Sequence, residues 1–349
     1  MKAMRKIRVL VVDDSFLARR MITTYLSAQP QFDVVGYAVN AVDAKVKIQS
    51  LSPDVVTLDV EMPGTDGITF LKEFLPLHPV PVILVSSLNI GVFDALAAGA
   101  VDFVRKPDGS GQSRDQFLET LAQKIVIASC SKVRTPKKST PVHVSSSHLS
   151  LSSLSSANQF IIALGASTGG TEATLEVLQQ LPKDIPGMVI VQHMPVGFTK
   201  MYADRLNRLC QMEVREAKNG DEIHPGLALI APAGLQTKVI RMNNRYTVSC
   251  LPADKVSGHC PSVDVLFSSM ATSVKCKMVG IIMTGMGRDG ADGLLAMRKA
   301  GAYTIGQDKD SCVVYGMPME AYKIGAVTIQ SSCENIAATL MAHLGTLSK

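Results

Sequence analysis

The chain has 349 residues, 46% of them apolar and 19% charged, with a formal net charge of +5. That length suits two ordinary domains rather than one. The cations gather at Lys2, Arg5, Lys6, Arg19 and Arg20, and again at Lys132, Arg134, Lys137 and Lys138, with no interleaved aromatics and no zinc-finger spacing, so no nucleic-acid partner is expected. The seven cysteines are scattered and never form a Cys-x-x-Cys pair, which argues against a disulfide framework or a zinc site and for a reducing compartment. No run of about 18 apolar residues occurs and the start lacks a signal-peptide pattern, so the expectation is a cytoplasmic monomer without direct membrane insertion.

Short apolar runs alternate with helical patterns. Strands are predicted at Ile7–Val12, Val34–Ala38, Val55–Leu58, Val82–Ser86 and Asp102–Arg105. Helices fall between and after them, near Phe16–Ser27, Ala41–Ser50, Ile68–Leu77, Phe93–Ala98 and Asp115–Ala128. This is the (βα)5 pattern of a flavodoxin-like α/β domain over residues 1–128. Residues 129–158 are Ser-rich with several cations and cannot bury enough apolar surface to fold, so a flexible linker is expected. The alternation then restarts. Strands at Ile161–Gly165, Met188–Gln192 and Val279–Thr284, with helices near Thr171–Gln180 and Gly293–Ala300, predict a doubly wound parallel, Rossmann-like α/β domain over residues 159–349.

In the first domain, Asp13 and Asp14 close the first strand and Asp59 the third. Adjacent parallel strands end on one edge of a sheet, so these carboxylates converge in one crevice. Like charges there call for a cation, and hard oxygen ligands suit Mg²⁺. Ser86 and Lys106 end the next two strands and add a hydroxyl and a fixed positive charge. The sum is a place for a phosphoryl group, with a carboxylate nucleophile and groups to read the product. Val12-Asp13-Asp14-Ser15, Leu58-Asp59-Val60-Glu61-Met62-Pro63-Gly64-Thr65-Asp66-Gly67, Val85-Ser86-Ser87 and Asp102-Phe103-Val104-Arg105-Lys106-Pro107 resemble the motifs of bacterial receiver domains. The resemblance implies that a histidine kinase phosphorylates Asp59, that Asp13, Asp14 and Asp59 hold Mg²⁺, and that Ser86, Phe103 and Lys106 form the phospho-switch. The segment from Ser87 to Ala95 is about one helical turn shorter than expected of such domains.

In the second domain, Gly165-Ala166-Ser167-Thr168-Gly169-Gly170 follows a strand and precedes a helix. It satisfies G-x-S-x-G, a tight turn that exposes a hydroxyl near free backbone N–H groups. A Gly-rich turn also serves nucleotide sites, but G-x-G-x-x-G and a P-loop lysine are absent. His193 ends the next strand, and Asp289 lies in the loop after the strand at Val279–Thr284. Ser167, His193 and Asp289 can therefore form a nucleophile–base–orienter triad. Asp292 competes for the third role, although a helix-start charge explains it more simply. The order Ser…His…Asp differs from that of α/β-hydrolases.

Ile162–Glu172, Gln192-His193-Met194-Pro195, Pro261-Ser262-Val263-Asp264-Val265-Leu266-Phe267, Thr284–Gly290 and Gly316-Met317-Pro318 resemble the catalytic domain of the chemotaxis protein-glutamate methylesterases, the CheB family. The resemblance implies phosphorylation-activated hydrolysis of glutamate γ-methyl esters, and deamidation of selected glutamines, on methylated chemoreceptors. Ser167, His193 and Asp289 would be its triad, the Met286 N–H its oxyanion donor, and no cofactor would serve the esterase step. In the resting state the receiver is expected to cover the Ser167 cleft. Gln236 stands where relatives often carry His, which bears on the substrate groove, while His224 and His259 are expected to be surface residues. The rival readings are a DNA-binding output and a nucleotide-binding output. Salt-dependent DNA retardation would favour the first, and tight nucleotide binding with full activity in Ser167→Ala the second.

Overall fold

The computed structural model describes residues 5–62, 67–86, 91–107, 113–133 and 160–346. The chain divides into two compact units, with the division between Thr140 and Pro141. Most of the Ser-rich stretch, the basic cluster Arg134–Lys138 and the start of the short Ser87–Ala95 segment lie outside the described residues.

The first unit is a five-stranded parallel sheet: β1 (Ile7–Val12), β2 (Phe32–Ala38), β3 (Val55–Asp59), β4 (Val82–Ser86) and β5 (Asp102–Arg105). Its order is β2-β1-β3-β4-β5, the flavodoxin-like arrangement whose switch point lies between β1 and β3. Helices α1 (Phe16–Ser27), α2 (Ala41–Leu51), α3 (Gly67–Phe74), α4 (Gly91–Ala97) and α5 (Arg114–Ser129) connect and follow the strands. β3 and β4 are buried along their whole length, as expected of strands covered on both faces. Local signals set the helix starts. Ser15 caps α1 by accepting from the Ala18 N–H, Asn40 caps α2, and Ser113 and Gln116 form a reciprocal capping box on α5.

The second unit is built on a seven-stranded sheet with the order β14-β13-β12-β6-β7-β9-β8, parallel throughout. Its strands are β6 (Phe160–Ala166), β7 (Met188–Gln192), β8 (Glu213–Glu216), β9 (Leu227–Ile230), β12 (Lys277–Ile282), β13 (Tyr303–Gln307) and β14 (Ile329–Ser331). The helices are α6 (Gly170–Leu178), α7 (Phe198–Leu209), α8 (Val263–Ser273), α9 (Ala291–Lys299), α10 (Met317–Lys323) and α11 (Cys333–Thr346). An antiparallel hairpin, β10 (Gln236–Met242) and β11 (Arg245–Leu251), stands beside the sheet. Its two turn residues, Asn243 and Asn244, both have positive φ, the conformation a two-residue hairpin turn requires.

Val189, Val191 and Leu229 of the sheet share one buried cluster with Leu266, Phe267 and Met270 of α8 and Leu294 and Met297 of α9. On α7, Arg205 reaches Glu172 of α6 through two hydrogen bonds of 2.7 and 3.2 Å. The order places the chain reversal between β6 and β12, so the carboxyl ends of β6, β7 and β12 surround a topological switch point, where open α/β sheets bind ligands. Among the described residues, no disulfide forms and no helix is long and apolar enough to cross a membrane.

Candidate active site and phosphoacceptor crevice

Strand register builds the crevice of the first unit. Val12 lies opposite Leu58, so the residues that follow, Asp13 and Asp59, arrive level at one edge. Asp59 lies opposite Val85, and Ser86 opposite Arg105, which brings Lys106 to the same edge. Asp13 and Asp59 are buried and Asp14 is exposed. Ligand oxygens of the three carboxylates lie within 4.8 Å of one another.

Lys106 Nζ is 2.6 Å from Asp59 Oδ2 and 3.0 Å from Asp13 Oδ2. The Glu61 N–H donates to Asp59 Oδ1. Burial pushes the Asp59 carboxyl above its usual range, more strongly than Lys106 and the Glu61 N–H hold it down. Burial alone would lower the Lys106 pKa, but Asp59 and Asp13 together carry it above the ordinary lysine value. One ammonium against three carboxylates leaves surplus negative charge among hard oxygen donors. Asp13, Asp14 and Asp59 thus fit Mg²⁺, which, when bound, neutralises the oxygens of an incoming phosphoryl group. Ser86 Oγ is buried without a hydrogen-bond partner among the described residues. Phe103 is buried, with Lys124 Nζ 5.9 Å from its ring centroid.

The second site also follows from register. Ala166 lies opposite Gln192, so Ser167 and His193 emerge side by side, and the His193 N–H donates to the Ala166 carbonyl at 3.1 Å. The Ser167 N–H is held by the Thr284 carbonyl, and the Gly170 N–H closes the turn on the Ser167 carbonyl. Gly169, at φ +76°, permits that turn. Gln192 Nε2 donates to the carbonyls of both Ser167 (2.8 Å) and His193 (3.3 Å), tying the two loops together.

Across from them, Asp289 is buried and accepts four hydrogen bonds. Its Oδ2 takes His193 Nε2 at 2.9 Å and the Val263 N–H at 2.8 Å. Its Oδ1 takes Ser262 Oγ at 2.7 Å and the Asp264 N–H at 3.1 Å. The carboxylate thus sits on the first turn of α8, where backbone N–H groups lack intrahelical partners. Burial alone would raise its pKa, but His193, the Ser262 hydroxyl and the Val263 N–H outweigh burial and bring it down to about 2.

With Nε2 engaged, His193 keeps Nδ1 buried and without a hydrogen-bond partner among the described residues. Ser167 Oγ makes no hydrogen bond to the ring here, and such bonds commonly tighten only with substrate bound. Met286 is exposed, and its N–H has no backbone partner among the described residues, while the neighbouring Gly285 N–H is taken by the Val314 carbonyl. A Cβ on Gly285 would lie 2.7 Å from Ser167 Cβ, so the loop carrying Met286 passes directly against the serine.

Asp292 pairs instead with Arg288 on the surface, which separates it from Asp289. His224 is exposed, as expected. His259 is not a surface residue: it is half-buried and stacks on the His193 ring, centroids 3.7 Å apart and planes 6° apart. Gln236 is buried. Its Nε2 donates to the carbonyls of Asp254 and His259, both at 3.0 Å, and its Oε1 accepts from the Ser262 N–H at 2.9 Å. It therefore braces the His259 loop against α8 rather than facing open solvent. Sequence reasoning missed Gln192, Ser262 and His259. The first adjoins His193 in sequence and the second lies in a quoted motif, but nothing in the sequence placed His259 over the imidazole.

Fold and sites together define a response regulator whose output domain is a hydrolase. The receiver-domain family of response regulators matches residues 9–116, and the family described as CheB methylesterase matches residues 162–340. A protein-glutamate methylesterase/protein-glutamine glutaminase of Syntrophomonas wolfei is 49% identical over 339 residues, covering 97% of both chains. Its counterpart in Syntrophotalea carbinolica is 46% identical over 343 residues, again covering 97% of each. The crystal structure of the Thermotoga maritima CheB methylesterase catalytic domain is 34% identical, covering 52% of this chain and 97% of that one, with a TM-score of 0.51. The chain belongs to the CheB family of protein-glutamate methylesterase/glutaminases.

Proposed function

We propose that this chain hydrolyses glutamate γ-methyl esters and deamidates selected glutamines on chemoreceptors through Ser167, His193 and Asp289, and that phosphorylation of Asp59 activates it. As a family member it acts downstream of a histidine kinase on methylated chemoreceptors, in adaptation. The observation that carries the triad is the bond from His193 Nε2 to a carboxylate held ionised, which leaves Nδ1 as a buried ring nitrogen without a hydrogen-bond partner among the described residues.

In this reading Ser167 Oγ attacks the ester carbonyl while its proton passes to His193 Nδ1. The Met286 N–H receives the developing oxyanion. His193 returns the proton to the departing methoxide, methanol leaves, and an acyl-serine remains. Water then attacks with the same base, releasing free glutamate and Ser167. With a glutamine the leaving group is ammonia. Asp289 supplies no proton; it fixes the tautomer and stabilises the imidazolium.

In the receiver, residues 1–128 in this reading, Asp59 attacks the phosphoryl donor, Lys106 balances the new charge, and Ser86 and Phe103 rearrange in response. Residues 129–158 tether it to the catalytic domain, 159–349. Methanol release from methylated receptor membranes, with and without a small phosphodonor, tests both parts. Ser167→Ala is expected to abolish release, and Asp59→Asn to remove the response to the donor alone. Wild-type release by the first variant refutes the triad, and a wild-type response by the second refutes the switch.

A further inference from the structure

We propose that His259 is a positioning residue for the esterase reaction: its ring covers one face of the His193 imidazole and holds it in the plane that Asp289 sets. The inference rests on the triad reading above and adds to it a residue that does not touch the reacting atoms.

Two anchors converge on one helix start. Asp289 grips the edge of the His193 ring at Nε2 and is itself fixed by Ser262 Oγ and the N–H groups of Val263 and Asp264. The His259 ring lies parallel to that of His193, 3.7 Å away centroid to centroid. Its backbone is held by the reciprocal Val256–His259 pair and by Gln236 Nε2 on its carbonyl. Gln236 in turn accepts from the Ser262 N–H. Edge and face of the base are therefore both referred to residue 262, and neither can shift without the other.

A single hydrogen bond to Asp289 leaves the imidazole free to rock about the Nε2–Oδ2 line, which would swing Nδ1 away from the serine. A parallel ring in contact removes that freedom. It also keeps water off the face, and the His193 side chain is only 9% exposed. The contribution falls on kcat, because holding the base in line serves proton transfer and not substrate binding.

The test uses the full-length chain with a small phosphodonor, measuring methanol release across a range of methylated receptor concentrations. His259→Ala is expected to lower kcat roughly three- to tenfold with KM unchanged, the size that loss of an aromatic pair converts to. His259→Phe keeps the stack and is expected to stay within about twofold of wild type. Thermal melts check that both variants fold. Wild-type kcat in His259→Ala overturns the proposal, as does an equal kcat loss in folded His259→Phe, which would assign His259 a polar role instead. His193→Ala separates the two readings. If it is inactive while His259→Ala is normal, only the stacking inference falls; if it is fully active, the triad and the stack fall together.

Discussion

Replacing Asp289 by Asn tests the centre of the proposed mechanism, because the four bonds to its carboxylate constrain the outcome. An amide must put its NH₂ where one of the two oxygens was. At the Oδ2 position it meets His193 Nε2 and the Val263 N–H; at the Oδ1 position it meets Ser262 Oγ and the Asp264 N–H. Ser262 can rotate to accept, but a backbone N–H cannot. Either orientation thus leaves one buried donor facing another, at a cost of about 1–3 kcal/mol, or a fall in Tm of several degrees for a domain of this size.

The first orientation also requires His193 to accept at Nε2 and carry its proton on Nδ1, where it cannot take one from Ser167. Wrong-tautomer variants of serine hydrolases lose about 10⁴ in kcat, and a loss of 10³–10⁴ is expected here. The stability difference between the two proteins should also depend on pH. The hydrogen bonds from His193, Ser262 and the Val263 N–H outweigh burial and hold the Asp289 carboxyl below the usual carboxylate range, at about 2. Its ionised form therefore contributes fully above pH ~4 and loses its contribution as pH falls through ~2, a change of about 2 kcal/mol. Methanol-release kinetics and denaturant titrations at pH 5 and at pH 2–3 give both numbers. A folded Asp289→Asn within tenfold of wild-type kcat, with a stability gap that does not narrow in acid, would refute the reasoning.

Gly285→Ala should abolish esterase activity, since its Cβ would sit 2.4 Å from Met317 Sδ and 2.7 Å from Ser167 Cβ; methanol release with a parallel melt distinguishes a displaced serine from an unfolded domain. Removing divalent cations with a chelator should prevent labelling of Asp59 by a radiolabelled small phosphodonor while leaving the phosphodonor-independent esterase rate unchanged. Restoration by added Mg²⁺ completes that check. Gln236→Ala deletes three hydrogen bonds and leaves the buried Ser262 N–H without its acceptor. It should cost about 1–3 kcal/mol in denaturant unfolding and lower kcat in the same direction as His259→Ala.

The receiver was legible because each of its reactive residues ends a strand, and strand ends in a parallel sheet converge whatever the loops do. Strand ends likewise suggested Ser167, His193 and Asp289, with Asp292 set aside as an ordinary charge at a helix start. The position of α8 beneath Asp289, with Asp292 turned to Arg288, agrees with that preference. The hairpin β10–β11 went unpredicted although its Asn243-Asn244 turn was in view, because its strands stand apart from the βα alternation. His259, Gln236 and Ser262 act across a gap in sequence that no local pattern bridges. Their roles come from packing, and a half-buried histidine in a polar loop carries no mark of the ring it faces.

The pairing of Ala166 with Gln192 has a consequence for how such an enzyme can vary. Side chains along a strand alternate between two faces, so inserting or deleting one residue within β6 or β7 would turn Ser167 or His193 away from its partner. No compensating point mutation nearby could restore the pair. The loops on either side of the hairpin, between β9 and α8, meet no such parity condition so long as they return residues 236, 259 and 262 to their places. Length changes among descendants of this chain should therefore collect in those loops and spare the strands of the sheet.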